Sequence, residues 1–168
     1  YVDGTVEEAL GRRRAIVARV ASERIWDFAQ WRFFAGQGWE PDSGRASPVC
    51  DDVAAELSVS WQPGIGRYVM VHSAAWPSPE MVVRYAAAPE GPWSAPEVFF
   101  SCPEAAWDPR VFCYAAKGHP EVDPSPGGLT VTYVANATEL ALVESDARLY
   151  RPRFLRLSFS GGSLFSGP

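Results

Sequence analysis

One stretch of the chain gathers most of the side chains that could do chemistry. Residues 114–122 read YAAKGHPEV and hold the chain's only lysine, Lys117, one of its two histidines, His119, and a carboxylate, Glu121. The residue before a proline is biased to extended backbone, so His119 should project from a strand edge. Alternation along such a strand puts Lys117, His119 and Glu121 on one face. A second carboxylate, Glu56, begins ELSVSW (residues 56–61), which alternates as a half-buried strand does. Two carboxyl groups facing one cavity can hydrolyse a glycosidic bond. One, with a raised pKa, protonates the leaving oxygen, and the other acts as base or nucleophile. A separation of roughly 6.5–9.5 Å would mean inversion, and about 5 Å retention. The plainer alternative is that each glutamate bonds backbone N–H groups or faces water.

Other residues could support such a site. Arg84 and Arg153 fall inside corresponding strands, and an arginine within a sheet calls for a carboxylate partner. Arg84 could hold a catalytic glutamate or make a structural pair. Tyr133 and Asn136 end a strand where they could meet substrate. Trp76 and Trp107 sit in Pro-rich loops, where they could offer flat faces to a sugar or staple their loops by packing, whereas Trp93, after Gly91-Pro92, reads as packing between sheets. His72 reads as a rim or packing residue. Asp51, Asp52 and Asp108 are loop acids that read as solvated, with calcium the one cofactor they could take. No GxSxG elbow, Gly-rich phosphate loop or zinc-like Cys/His spacing occurs.

The elements that would position these groups are strands. ELSVSW, then QPGIG as a turn, RYVMVHS (67–73), AWPSP, and EMVVRYA (80–86) form one unit, with a short edge strand expected around 98–100. HPEV (119–122), a Pro-Gly turn, GLTVTYVAN (128–136) and YRPRFLRLSF (150–159) repeat it about 65 residues on. Repeated four-stranded units predict a β-propeller with approximate blades 1–50, 51–104 and 105–168; a β-sandwich competes but needs no repeat. In this reading Glu56 and Glu121 both stand where the first, axis-lining strand of a unit begins, so their carboxyl groups converge. The N-terminal third admits a helix over part of residues 6–31, with a capping-box pattern at Thr5–Glu8. Strands at 15–20 and 31–39 complete the repeat, and these are preferred.

Composition excludes some classes. The net charge of −5 and the lack of a basic stripe argue against a nucleic-acid partner. No apolar run nears the ~20 residues of a membrane helix. Three cysteines, Cys50, Cys102 and Cys113, are too few and too odd for a disulfide framework, yet Cys102 and Cys113 flank a short connection and could bridge in an exported protein; free thiols are the alternative. No signal peptide is visible in the chain, which starts without an initiator methionine and reads as if it begins mid-fold.

In order, GRYVMVHS, VVRYAAAPEGPWSAP, YAAKGHPEV, GGLTVTYVAN and YRPRFLRL resemble the C-terminal part of a five-bladed propeller family long catalogued as a domain of unknown function. That family is related to the furanosidase propellers and includes endo-D-arabinanases that cut mycobacterial arabinan. The combination of KGHPE with Tyr133–Asn136 carries the resemblance more than the widespread GPW does. It implies an all-β chain of about three blades out of five. It further implies a glycoside hydrolase-like domain acting on a furanose-containing polysaccharide, outside the cytoplasm (extracellular or periplasmic). The site residues would be Glu56 and Glu121 as acid and base, with His119, Lys117, Trp76, Trp107, Asn136 and Arg84 at the substrate. Two alternatives stand beside it: a non-catalytic propeller that binds carbohydrate or protein, and a truncated fragment that is inactive alone.

Overall fold

The computed structural model describes residues 13–76, 78–122, 127–160 and 163–167. The capping-box pattern at Thr5–Glu8 therefore lies outside the described residues. The N-terminal portion is made of short strands: β1 (Arg13–Ala15), β2 (Ala18–Arg19), β3 (Arg32–Phe34), β4 (Trp39–Glu40) and β5 (Cys50–Val53). β2, β3 and β4 form one antiparallel sheet and β1 pairs with β5. The strands preferred over a helix are present here but brief. Between β2 and β3 the chain makes two 3-10 turns, Ser22–Arg24 and Phe28–Gln30.

The next four strands follow the sequence expectation closely: β6 (Leu57–Gln62), β7 (Arg67–Ser73), β8 (Glu80–Ala86) and β9 (Glu97–Ser101) form one antiparallel sheet in chain order. β7 and β8 read as nearly unbroken apolar runs rather than alternations. Both faces of their sheet are covered, which removes the need for a polar face. On one side Val69, Val71, Met81, Val83 and Phe99 join the main core; on the other Met70 meets Cys50 and Val53, with Ala15, Leu57 and Trp93 around them. Trp93 thus packs between sheets, as its place after Gly91-Pro92 suggests.

The second unit begins earlier than expected. Its first strand is β10 (Val111–His119), which ends where the sequence reading begins it; residues 120–122 form the turn beyond. β11 (Gly128–Ala137), β12 (Pro152–Ser160) and β13 (Ser163–Gly167) complete a second four-stranded antiparallel sheet. A one-and-a-half-turn helix, α1 (Leu140–Ser145), occupies part of what reads as a polar connection. The inward face of this second sheet supplies Cys113, Ala116, Leu129, Val131, Tyr133, Ala135 and Leu157 to the main core. The Cys102–Cys113 disulfide ties β10 to the segment after β9, with Cα atoms 6.4 Å apart. Cys50 is free and buried, and burial pushes its thiol pKa up. The described chain is therefore mostly β, built of small antiparallel sheets packed face to face.

β10 carries an extra residue. Tyr114 faces Val134 and Lys117 faces Thr132, so Ala115 and Ala116 together oppose Tyr133, and Ala115 takes φ +58°. This bulge resets the alternation. Val111 and Cys113 point into the core before it, Ala116 and Gly118 after it. Without the extra residue, the frame set by Val111 and Cys113 would carry Lys117 and His119 inward.

Candidate functional site

Three segments converge on a groove of about 310 Å³: residues 54–56 ahead of β6, residues 74–76 and 78 between β7 and β8, and the β10 bulge at Tyr114–Ala115. Glu56, Trp76, Ser78, Tyr114 and Arg13 line it. Trp76 is 59% exposed and meets Phe112 edge-on, with ring centroids 4.8 Å apart; Phe112 is 5.5 Å from Tyr114. Phe112 and Tyr114 share a face because they are two apart on a strand. The bulge one residue on turns Tyr114 toward the groove, a common use of bulges beside sites. The result is an aromatic row with one half-buried carboxylate, Glu56, beside it. Asn136 lies across the ladder from Phe112, the middle ring of this row, and its Oδ1 accepts from the Ala137 N–H at 2.8 Å.

His119 and Glu121 form a separate cluster. His119 Nδ1 lies 3.1 Å from Glu121 Oε1, and Nε2 lies 2.7 Å from Thr132 Oγ1. Both contacts are satisfied when Nδ1–H donates to the carboxylate and the Thr132 hydroxyl donates to Nε2. The Glu121 backbone N–H, and then His119, hold the Glu121 carboxyl below its ordinary pKa. Lys117 is the ladder partner of Thr132 on the same outward face. The shared face of Lys117 and His119 is as expected. The expected equivalence of Glu121 with Glu56 is not: Glu56 precedes its strand, whereas Glu121 follows the end of β10, and its side chain is 68% exposed. Among the described residues, Glu56 lines the groove and Glu121 does not.

A larger cavity of about 500 Å³ lies beside the groove, across Ala74 and Ala75, which line both. Its floor is Arg84 and His72, and Asp51, Asp52, Glu80 and Trp93 stand around it. Arg84 does not find the carboxylate its position calls for in the sequence reading. Its Nη1 and Nη2 donate to the carbonyls of Ser94 and Asp51, each at 3.2 Å, and its Nε to His72 Nε2 at 3.4 Å. It thereby pins the Pro-rich loop and β5 onto β8. His72 Nδ1 donates to the Ser73 carbonyl at 2.8 Å. Burial lowers the His72 pKa, the Ser73 carbonyl opposes this, and the Arg84 charge adds to the lowering. The ring is neutral and structural.

Sequence reasoning missed a buried polar cluster centred on Glu104. Tyr133 Oη donates to Glu104 Oε2 at 3.0 Å, and Arg153 Nε sits 3.0 Å from Oε1 as an ion pair whose N–H is not aligned for a hydrogen bond. Burial, then the bond to Glu104, raises the Tyr133 pKa. Tyr133 is thus committed to the core and not to substrate. Arg153, unlike Arg84, does have a carboxylate. Trp107 lies under the guanidinium groups of Arg148 and Arg153, 4.4 and 5.1 Å from its ring centroid, which gives it the packing role its loop position also allows. The only sign of Glu104 in the sequence is its place one residue after Pro103 in a 3-10 turn, a position where most glutamates are solvated.

The calcium candidates do not gather. Asp108 holds Arg110 through both carboxylate oxygens, which lowers its pKa to about 2, while Asp51 and Asp52 line the larger cavity. Among the described residues, the one group of three ligand atoms close enough for a metal is Cys102, Glu104 and Cys113, and its two sulfurs are bonded to each other.

Comparison with known proteins places the chain. Residues 1–148 match the profile of a family described as a domain of unknown function, DUF4185. Among solved structures, a Bacteroides ovatus protein described as a "putative hydrolase" superposes with a TM-score of 0.63 at 18% identity, over 85% of this chain and 39% of that one. The chain therefore spans well under half of that protein's length, and at this identity the likeness is one of fold. No curated protein matches the chain.

Proposed function

Because the chain belongs to the DUF4185 family, whose description leaves its chemistry open, we propose that it is a glycoside hydrolase-like domain acting on a furanose-containing polysaccharide such as D-arabinan. In this proposal its sheets are blades of a five-bladed propeller, with β6 and β10 as axis-lining strands. The observation that carries it is the groove at Glu56. A carboxylate stands beside an aromatic row of Trp76, Phe112 and Tyr114, which offers apolar faces to a sugar's C–H side and a polar group to its oxygens.

The chemistry needs two carboxyl groups, one on each side of the scissile bond. Glu56 is one. Glu121 is not its partner in this groove, because it lies beyond the other end of β10. In this reading the second acid comes from a blade other than the two that hold β6–β13. Trp76 and Tyr114 hold the sugar so that its glycosidic oxygen faces Glu56, and Asn136 flanks the row. Arg84 acts through backbone, by fixing β5 and the loop beside the groove. Lys117, His119 and Glu121 serve a neighbouring glycan unit or a partner blade. The disulfide supports an oxidising compartment, in line with an extracellular or periplasmic setting.

A second reading is favoured by Glu56 being the one carboxylate in the groove among the described residues: a domain that binds the glycan without cutting it. Incubating the protein with D-arabinan separates the two. New reducing ends that vanish in Glu56→Gln support the hydrolase, whereas binding with no cleavage by the unmutated protein supports the binder.

A further inference from the structure

The connection between β2 and β3 holds its largest apolar side chains in water. Residues 21–30 are all exposed, with Trp26 at 90%, Phe28 at 78% and Ile25 at 46%. A soluble protein seldom keeps a tryptophan and a phenylalanine so bare unless the patch has a use. The segment is also tightly built. Arg24, Asp27 and Gln30 N–H groups donate to the carbonyls of Ala21, Arg24 and Asp27, in three successive turns. Asp27 Oδ1 caps the second 3-10 turn by accepting from Ala29 N–H. Trp31 Nε1 donates to the Ile25 carbonyl at 3.1 Å, and Arg32 Nη1 donates to the carbonyls of Ala29 and Trp31. Phe28 stacks on Trp31 with rings 5.6 Å apart and 24° from parallel. These bonds fix the backbone so that Trp26 and Phe28 stay outward.

We infer that this hairpin is a carbohydrate-binding platform, separate from the Glu56 groove, that takes a neutral polysaccharide chain. It rests on the proposed function only for the choice of polymer. The chemistry that recognises a sugar is mixed: a flat apolar ring for the C–H face, flanked by donors and acceptors for the hydroxyls. Here Trp26 and Phe28 alternate with Asp27 and lie among Glu23, Arg24 and Gln30. A lipid surface fits worse. Membrane-binding elements pair an apolar face with a polar face rich in Lys and Arg, whereas Glu23 and Asp27 stand at this tip and the chain's net charge is −5. A protein partner also fits worse, because protein interface centres are depleted of acidic residues, and here Asp27 separates Trp26 from Phe28 with Glu23 close by in sequence.

The test is affinity electrophoresis of the full chain through gels containing D-arabinan, with the double variant Trp26→Ala/Phe28→Ala. The polymer should retard the unmutated chain, and the variant should bind roughly tenfold more weakly while still unfolding in one cooperative transition, since Trp26 lies in water and Phe28 gives up only its stacking on Trp31. Equal retardation of the two proteins, or none of either, overturns the inference. So does binding of the unmutated chain to vesicles of phosphatidylcholine and phosphatidylglycerol that the variant loses, or a dimer in sedimentation that the variant abolishes. The hydrolase reading fails separately: retardation that depends on Trp26 and Phe28, with no cleavage of arabinan, removes that reading and keeps the platform.

Discussion

The Gly118 N–H lies 2.6 Å from the Ser58 hydroxyl, and this contact between first strands fixes how the two four-stranded sheets are aligned. A second contact, Ala116 N–H to Ser73 Oγ at 3.2 Å, sets the direction. Ser73 stands one residue beyond His72, the ladder partner of Leu57, and so lies level with Glu56. From Ala116 to Gly118, β10 therefore advances the same way as β6 does from residue 56 to residue 58. Glu56 is level with the β10 bulge, and Glu121 lies past the strand's far end, an offset on the order of 10–15 Å at the usual rise per residue. The same alignment brings the bulge, with Tyr114, to the groove that holds Glu56.

The Glu104 cluster should dominate local stability. Removing one partner of a buried ion pair strands the other. Glu104→Ala is expected to cost about 3 kcal/mol, the low end for such a loss because Arg153 keeps some contact with water. Tyr133→Phe should cost about 2 kcal/mol, as a hydrogen bond to a charged group. Chemical denaturation of both single variants and the double variant checks this. Losses that add with no coupling would show that the two side chains do not act on each other.

His72 gives stability a defined pH dependence. Burial holds its folded pKa below the ordinary 6.5, so between the two values the unfolded chain binds the proton and the folded chain does not. The stability that depends on a neutral ring is present above pH 6.5 and is lost as pH falls below it. Unfolding midpoints from pH 8 to pH 5 should drop more steeply for the unmutated protein than for His72→Asn. Parallel curves would contradict the assignment.

Ala115 holds a left-handed backbone conformation that costs a residue with a Cβ about 1–2 kcal/mol. Glycine removes that cost but loses more entropy on folding. Ala115→Gly should therefore raise stability by about 0.5–1 kcal/mol and leave the groove intact. A loss of stability would mean that the Ala115 methyl packs in a way its position on the groove wall does not suggest.

The strands β7, β8 and β9 are legible because Val, Met, Tyr and Phe runs bounded by Pro and Gly have few other uses. β10 is not. Ala115, Ala116 and Gly118 give it a weak strand signature, and the eye falls on HPEV instead. The reason for those small residues is tertiary: a Cβ at Gly118 would come within 2.7 Å of Leu129 Cδ2, and Ala116 is fully buried between the sheets. Sequence alone cannot display that close approach, so HPEV reads as a strand's start, whereas Glu121 stands beyond the end of β10. The pairing of His119 with Glu121 was nonetheless readable, since residues two apart beside a proline stay neighbours whether they sit in a strand or in its turn. Glu104 was hidden for the opposite reason, because a glutamate in a loop signals burial only through partners 29 and 49 positions away.

The central claim is that the acid beside the aromatic row, not the one beside His119, does the chemistry. The direct measurement compares D-arabinan cleavage by the unmutated protein, Glu56→Gln and Glu121→Gln. Glu56→Gln should lower the rate at least about a hundredfold, as loss of a general acid or base does, and still bind the polymer. Glu121→Gln should stay within about threefold of the unmutated rate, as an exposed side chain outside the groove would. A Glu121→Gln protein that cannot cleave, next to a Glu56→Gln protein that can, would contradict the account.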